Sequence, residues 1–229
     1  MRQDASLEGA RRLRKETGLA RLLTYDAHRR ASLQDYLLAP GDGPPSEAEP
    51  AWVAFPERAC EAKVREETGG VLVELRTGAP VGDGRLELAK TIEVRSARSG
   101  LVAHYELRAT RALVARFAVR WNLTLTGPAP DRYYRTDRGE RLSLEDTGWR
   151  SARRLDLVDD WLGLTAALWW SRDGTVAWTP VYTVSLSESG FERIWQGVQV
   201  TVCWPVELGP KAWSARIALD LAAHRGTRP

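Results

Sequence analysis

A chain of 229 residues, 43% of them hydrophobic, is long enough to bury a core and falls in the range of one large β domain or two small ones, of which one is the expectation. Its 33 basic and 30 acidic residues leave a net charge of +3, and the signs are interspersed, which argues against nucleic acid as the main partner. No window nears the ~18 apolar residues of a membrane helix, Met1 to Thr17 lacks the apolar run of a secretion signal, and Cys60 and Cys203 form no CxxC, so membrane insertion, a disulfide framework and a zinc site are not expected and a reducing, cytoplasmic setting is.

Residues 1–40 read as a helical segment. Leu7 to Leu38 contains no proline, is rich in Ala, Leu, Arg and Glu, and spaces Leu19, Leu22 and Leu23, then Leu33, Tyr36 and Leu37, by three and four. Residues 41–50 read as a loop or linker, because Pro40-Gly41-Asp42-Gly43-Pro44-Pro45 cannot continue a helix. From residue 51 to 229 the period becomes two, the mark of strands with one buried face.

Arg85 to Arg95 places Leu86, Leu88, Ile92 and Val94 on one side, with Lys90 the only break. Leu101, Ala103, Tyr105 and Leu107 repeat the pattern, as do Phe117, Val119, Trp121, Leu123 and Leu125. Leu162 to Trp170 is apolar on both faces, which predicts a central strand. Val198, Val200, Val202, Trp204 and Val206 form one more set, and Trp213, Ala215, Ile217, Leu219 and Leu221 another. Gly78-Ala79-Pro80, Gly82-Asp83-Gly84, Gly127-Pro128, Arg172-Asp173-Gly174 and Gly209-Pro210 read as turns. Repeated strands without alternating helices predict a mainly β chain, an antiparallel β-sandwich.

The common catalytic signatures are missing: there is no GxSxG, HExxH, P-loop or GxGxxG. His28, His104 and His224 are far apart, and His104 falls on the polar face of its strand. Asp159-Asp160, Glu145-Asp146 and Glu188 with Glu192 are carboxylate pairs of the kind glycoside hydrolysis uses, but adjacent carboxylates in polar stretches read first as solvated charge. No cofactor or metal is expected.

Ten tryptophans are the unusual feature. Indole faces stack on the apolar faces of sugar rings while polar neighbours take the hydroxyls, so a carbohydrate site is one reading and core packing the other. Strand phase assigns Trp121, Trp170, Trp204 and Trp213 to the core. Trp195, in the polar stretch Ser187 to Gly197 with Glu188, Glu192, Arg193 and Gln196, is the leading candidate for an exposed platform, with Trp149, Trp161 and Trp169 behind it.

Five ordered stretches carry a resemblance. Tyr25-Asp26-Ala27-His28-Arg29-Arg30-Ala31-Ser32-Leu33-Gln34-Asp35-Tyr36-Leu37 is similar to the YD-x-x-RRAS-x-x-DHFL segment of the C-terminal β-sandwich domain of glycoside hydrolase family 57 enzymes of the 4-α-glucanotransferase and α-amylase type, with Tyr36 where the family usually has His. Phe117 to Leu123, Asp131-Arg132-Tyr133-Tyr134, Leu157 to Leu164, and Ser187 to Gly197 followed by Trp204-Pro205 resemble further motifs of that domain in the same order. The resemblance implies a mutarotase-like, carbohydrate-associated supersandwich. In that family the catalytic Glu and Asp belong to a barrel that this sequence does not contain. What it implies is an accessory domain that binds or orients an α-glucan or maltooligosaccharide beside a separate catalytic barrel, and is not active by itself. A purely structural partner of that barrel and a mutarotase-like enzyme are the alternatives.

Overall fold

A computed structural model describes residues 19, 26, 29–45, 49–124, 127–187 and 190–224. The strands are β1 (Gln34–Leu38), β2 (Val53–Ala54), β3 (Glu61–Glu67), β4 (Gly70–Val81), β5 (Gly84–Arg95), β6 (Gly100–Ala109) and β7 (Leu113–Leu123). They continue as β8 (Arg132–Thr136), β9 (Arg141–Ser143), β10 (Gly148–Asp159), β11 (Leu164–Ser187), β12 (Gly190–Leu208) and β13 (Trp213–Ala223). All pair antiparallel along one path, β2-β1-β7-β12-β11-β13-β6-β5-β4-β3, with β10 also on β11 and β8 and β9 beyond it.

One long strand folds this path into two layers. The first part of β11, Leu164 to Trp170, pairs with β13, and the part from Thr175 onward pairs with β12. Arg172-Asp173-Gly174, expected as a turn, is therefore the stretch of continuous strand where β11 changes partner. Its glycine serves close packing: a Cβ at Gly174 would stand 2.8 Å from the Cys203 carbonyl oxygen and from Trp204 Cδ1. Gly78-Ala79-Pro80 likewise lies within β4. Arg85, opposite Pro80, directs its N–H and C=O to Thr110, so the proline's missing N–H removes no bond from that pair. Gly82-Asp83 is the predicted hairpin turn, with Gly82 at φ 52°.

The layers close face to face over aromatic contacts. Tyr105 on β6 meets Phe117 on β7 edge-on at 5.4 Å, and Trp213 on β13 lies 5.9 Å from Trp204 on β12. Trp121, Trp170 and Trp204 are fully buried, as phase predicts, Trp178 joins them, and Trp213 is half-buried against the same core. Trp170 keeps its indole N–H satisfied on the Ala152 carbonyl at 2.9 Å. Lys90 breaks the alternation of β5 because it points inward, donating to Asp35 Oδ2 of β1 at 2.6 Å and to the Leu33 carbonyl at 2.8 Å.

The helical expectation fails at the C-terminal end of the segment. Gln34–Leu38 is a strand lying between β2 and β7, while residues 1–18, 20–25 and 27–28 of that segment lie outside the described residues. All five residues of β1 are buried. Asp35 and Leu37 face the core between the layers, whereas Tyr36 and Leu38 pack with Ala118 and Cys203 under Ala51 and Ala54. A strand covered on both faces shows no polar alternation, and its apolar run imitates a helix.

Candidate ligand-binding face

The alternation that buries Leu86, Leu88, Ala103, Tyr105, Leu107, Ala215 and Ile217 turns the intervening residues of β4, β5, β6, β13 and β11 outward. Register then builds cross-strand rows about 4.8 Å apart per strand. One row runs Glu74, Thr91, His104 and Arg216, and the Arg216 backbone N–H donates to Ser171 of β11. The row on one side runs Arg76, Ala89, Glu106 and Ser214. The row on the other runs Glu93, Val102, Ala218 and Trp169. Residues of β4, β5, β6, β13 and β11, distant in the chain, thus share one face, polar except at the buried Val102 and Ala218.

Its charges are held in place by local pairs. Arg98 grips Asp220 through two contacts of 2.5 and 2.7 Å, and Trp169 Nε1 donates to the same carboxylate at 2.7 Å. The Arg98 hydrogen bond, with help from Trp169, holds the Asp220 carboxyl below the usual range. Arg95 does the same for Glu93 at 2.5 Å. Glu106 takes Arg108 at 2.6 Å, and Asp156 lies between Arg135 and Arg154. His104 Nε2 stands 3.7 Å from Glu93 Oε2, beyond hydrogen-bond length.

A groove of about 910 Å³ opens on this face, with Arg76, His104, Glu106, Arg172, Arg216 and Trp213 among its lining. Arg172 lies over the Trp213 ring at 5.4 Å. Guanidinium donors, a carboxylate and an imidazole around an open groove match a hydroxylated or charged ligand. No cluster of three His, Cys, Asp or Glu suited to a metal occurs among the described residues.

The residues singled out in the sequence separate into two regions. Trp195, Glu192, Arg193 and Gln196 belong to β12 where it pairs with β11, and Gly190 to Gly197 is strand instead of a polar loop. The β11–β12 hairpin outreaches its neighbours: β10 pairs with β11 only as far as Trp178, and β7 pairs with β12 only from Val198. Gln196 is the extra residue of a bulge opposite Val181 and Tyr182, and it donates to Thr183 Oγ1 at 3.0 Å. Arg193 lies 4.3 Å over the Tyr182 ring. Trp195 is half-buried against the main core, and its Nε1 is enclosed without a partner. Glu188 lies outside the described residues.

Trp161 and Trp169 sit at the opposite end of β11. Trp161 occupies the exposed β10–β11 turn with the Arg132 guanidinium 5.6 Å from its ring, and Trp169 is on the polar face. Two of the carboxylate pairs have members with structural tasks: Asp159 accepts the Leu162 N–H and pairs with Arg132, while Asp146 accepts the Ser143 N–H. His104, Arg76 and Arg216 converge only because β4, β5, β6 and β13 are neighbours. Their sequence signal is no more than a charged residue at an outward position, and it needs strand order to become a site.

The family described as alpha-amylase/4-alpha-glucanotransferase, C-terminal, matches residues 5–217. Among solved structures, a 4-alpha-glucanotransferase from Thermococcus litoralis superposes with a TM-score of 0.68 at 21% identity, over 90% of this chain and 29% of that one. A galactose mutarotase-like protein from Clostridium acetobutylicum gives 0.57 at 10% identity, over 83% and 79% of the two chains. A putative mutarotase from Salmonella typhimurium gives 0.56 at 12%, over 82% and 72%. The chain thus spans less than a third of the glucanotransferase, and the likenesses establish a mutarotase-like sandwich. No curated protein matches the chain.

Proposed function

The chain belongs to the alpha-amylase/4-alpha-glucanotransferase C-terminal family, and from that premise we propose that it is an accessory domain of α-glucan-active machinery that binds or orients glucan beside a glycoside hydrolase family 57 barrel. The observation that carries this reading is the polar face, where Trp169 stands in the row next to His104 and Arg216, beside the groove that His104 and Arg216 line. An indole flanked by charged hydrogen-bonding groups is the pairing that a sugar's apolar face and hydroxyls require. The hairpin set of Trp195, Glu192, Arg193 and Gln196 is the second place for sugar, but there the indole packs on the core. Free thiols at Cys60 and Cys203 agree with a reducing, cytoplasmic setting, and no helix among the described residues is long and apolar enough to cross a membrane.

Titrating the purified chain with maltooligosaccharides while following tryptophan fluorescence tests the proposal. A saturable change that Trp169→Ala removes and Trp195→Ala keeps assigns sugar to the polar face. The reverse outcome assigns it to the hairpin. No saturable change at millimolar sugar sinks glucan binding altogether.

One observation favours a structural role beside the barrel instead. Leu186, Phe191 and Ile194 are exposed on the projecting hairpin, and apolar side chains gathered on one ribbon mark a contact surface. Under that reading Phe191→Glu with Ile194→Glu abolishes copurification with a family 57 barrel while leaving sugar titrations unchanged.

A further inference from the structure

Among the described residues, the two carboxylates that line the groove, and Glu93 and Glu74 beside it, already have arginines of their own, while Glu61, opposite Arg76 on β3, stands beyond ion-pair distance of it. Asp173 pairs with Arg153 at 2.6 Å, Glu106 with Arg108 at 2.6 Å, Glu93 with Arg95 at 2.5 Å and Glu74 with Arg65 at 3.1 Å. Arg76, Arg172 and Arg216 line the same groove and are exposed, and no described carboxylate comes within ion-pair distance of any of them. Arg172 spends its Nε on the Ser214 carbonyl and lies over Trp213, which fixes the direction of its remaining N–H groups without neutralising it. Three guanidiniums of the groove, those of Arg76, Arg172 and Arg216, therefore have no ion-pair partner among the described residues.

Clustered arginines repel one another, and their mutual repulsion is relieved by an anion. Register sets the spacing: Arg216 and Arg76 occupy adjacent outward rows with His104 and Glu106 between them, on β13 and β4. Two intervening strands give a backbone separation of about 14 Å, which two extended arginine side chains span toward a central group. Three forks around one groove suit a group with several charged oxygens better than a single carboxylate.

Resting on the glucan reading of the same face, we infer that the groove takes a phosphomonoester-bearing glucose unit, with Arg76, Arg172 and Arg216 on the phosphate and neighbouring polar groups such as His104 on the sugar hydroxyls. The phosphate belongs either to a phosphorylated glucan chain or to a free hexose phosphate, and both present the same dianion above pH about 6.

The experiment is isothermal titration of the full chain at low salt with maltoheptaose, a phosphorylated maltooligosaccharide of equal length, glucose 6-phosphate and inorganic phosphate. The phosphorylated oligosaccharide is expected to bind about tenfold or more tightly than the neutral one, the scale of one or two charge-assisted hydrogen bonds. Arg76→Gln and Arg216→Gln each remove most of that ratio, and raised salt shrinks it. Glucose 6-phosphate matching the phosphorylated oligosaccharide makes the free hexose phosphate the ligand, and weaker binding by it makes the chain-borne ester the ligand. Equal affinity for neutral and phosphorylated sugars overturns this assignment and leaves the glucan reading standing. Inorganic phosphate binding as tightly as the phosphorylated sugars overturns it too, and no binding of any sugar overturns both.

Discussion

Replacing Lys90 by methionine isolates the ion pair that crosses the sandwich. Lys90 and Asp35 are both buried, and among the described residues the ammonium supplies the only hydrogen bond to Oδ2, while Oδ1 has no partner. It also holds the Leu33 carbonyl, whose residue sits at φ 60°. Methionine keeps the volume and leaves a carboxylate in the core without its cation, a loss of about 3–5 kcal/mol. For a domain of this size that lowers Tm by roughly 6–20 °C. The pH dependence has a definite sign. Burial raises the Asp35 pKa above its ordinary value, and Lys90 opposes the rise. A raised carboxyl favours the fold below the unfolded pKa near 4, and that advantage is lost as pH climbs through the folded value. Without Lys90 the folded value moves further up, so the deficit of Lys90→Met relative to the parent grows from pH 5 to pH 8. Urea unfolding followed by tryptophan fluorescence at both pH values measures it. Adding Asp35→Leu to the variant removes the stranded charge and is expected to restore most of the stability. A deficit below about 1 kcal/mol, or one that is the same at both pH values, refutes the buried-charge account; a double variant as weak as the single one shows that the loss was packing.

Gly197→Ala is expected to cost about 2–3 kcal/mol in the same unfolding assay, because Gly197 has φ 153° and its Cβ would meet the Leu123 carbonyl oxygen at 2.4 Å, where β12 joins β7. Burial pushes the Cys203 thiol up to about 12, so a disulfide reagent at pH 8 titrates one thiol per native chain, the exposed Cys60, and two after denaturation. Trp204→Ala empties a fully buried site that stacks on Phe117 and touches Trp213, and calorimetry is expected to show a loss of about 3–5 kcal/mol.

The strands with one wet face were legible because period two survives wherever water stays on one side. β5, β6 and β13 follow their predicted phases, and even the one break, Lys90, marks the inward residue that pairs across the layers. Legibility stopped where both faces are covered or where a strand serves two sheets. β1 is buried on both sides and imitated a helix. β11 passes through Arg172-Asp173-Gly174 without turning because its neighbours change there, and composition reads Asp-Gly as a turn regardless of whether glycine is needed for direction or for room.

The same reasoning applies to the tryptophans. Polar neighbours in sequence made Trp195 look exposed, yet in a strand those neighbours point the other way or lie along the ribbon, and the indole packs inward. Trp169, with apolar Leu168 and Trp170 beside it, looked no more polar than its strand, although its ring shares the outer face with His104 and Arg216. Surroundings in a sheet come from residues one strand over, and only register supplies them. The arginines of the groove carry the point furthest: Arg76, Arg172 and Arg216 are far apart in the chain, each an ordinary surface charge alone, and they become an excess of positive charge only when the sandwich sets them around one groove and the neighbouring carboxylates are already taken.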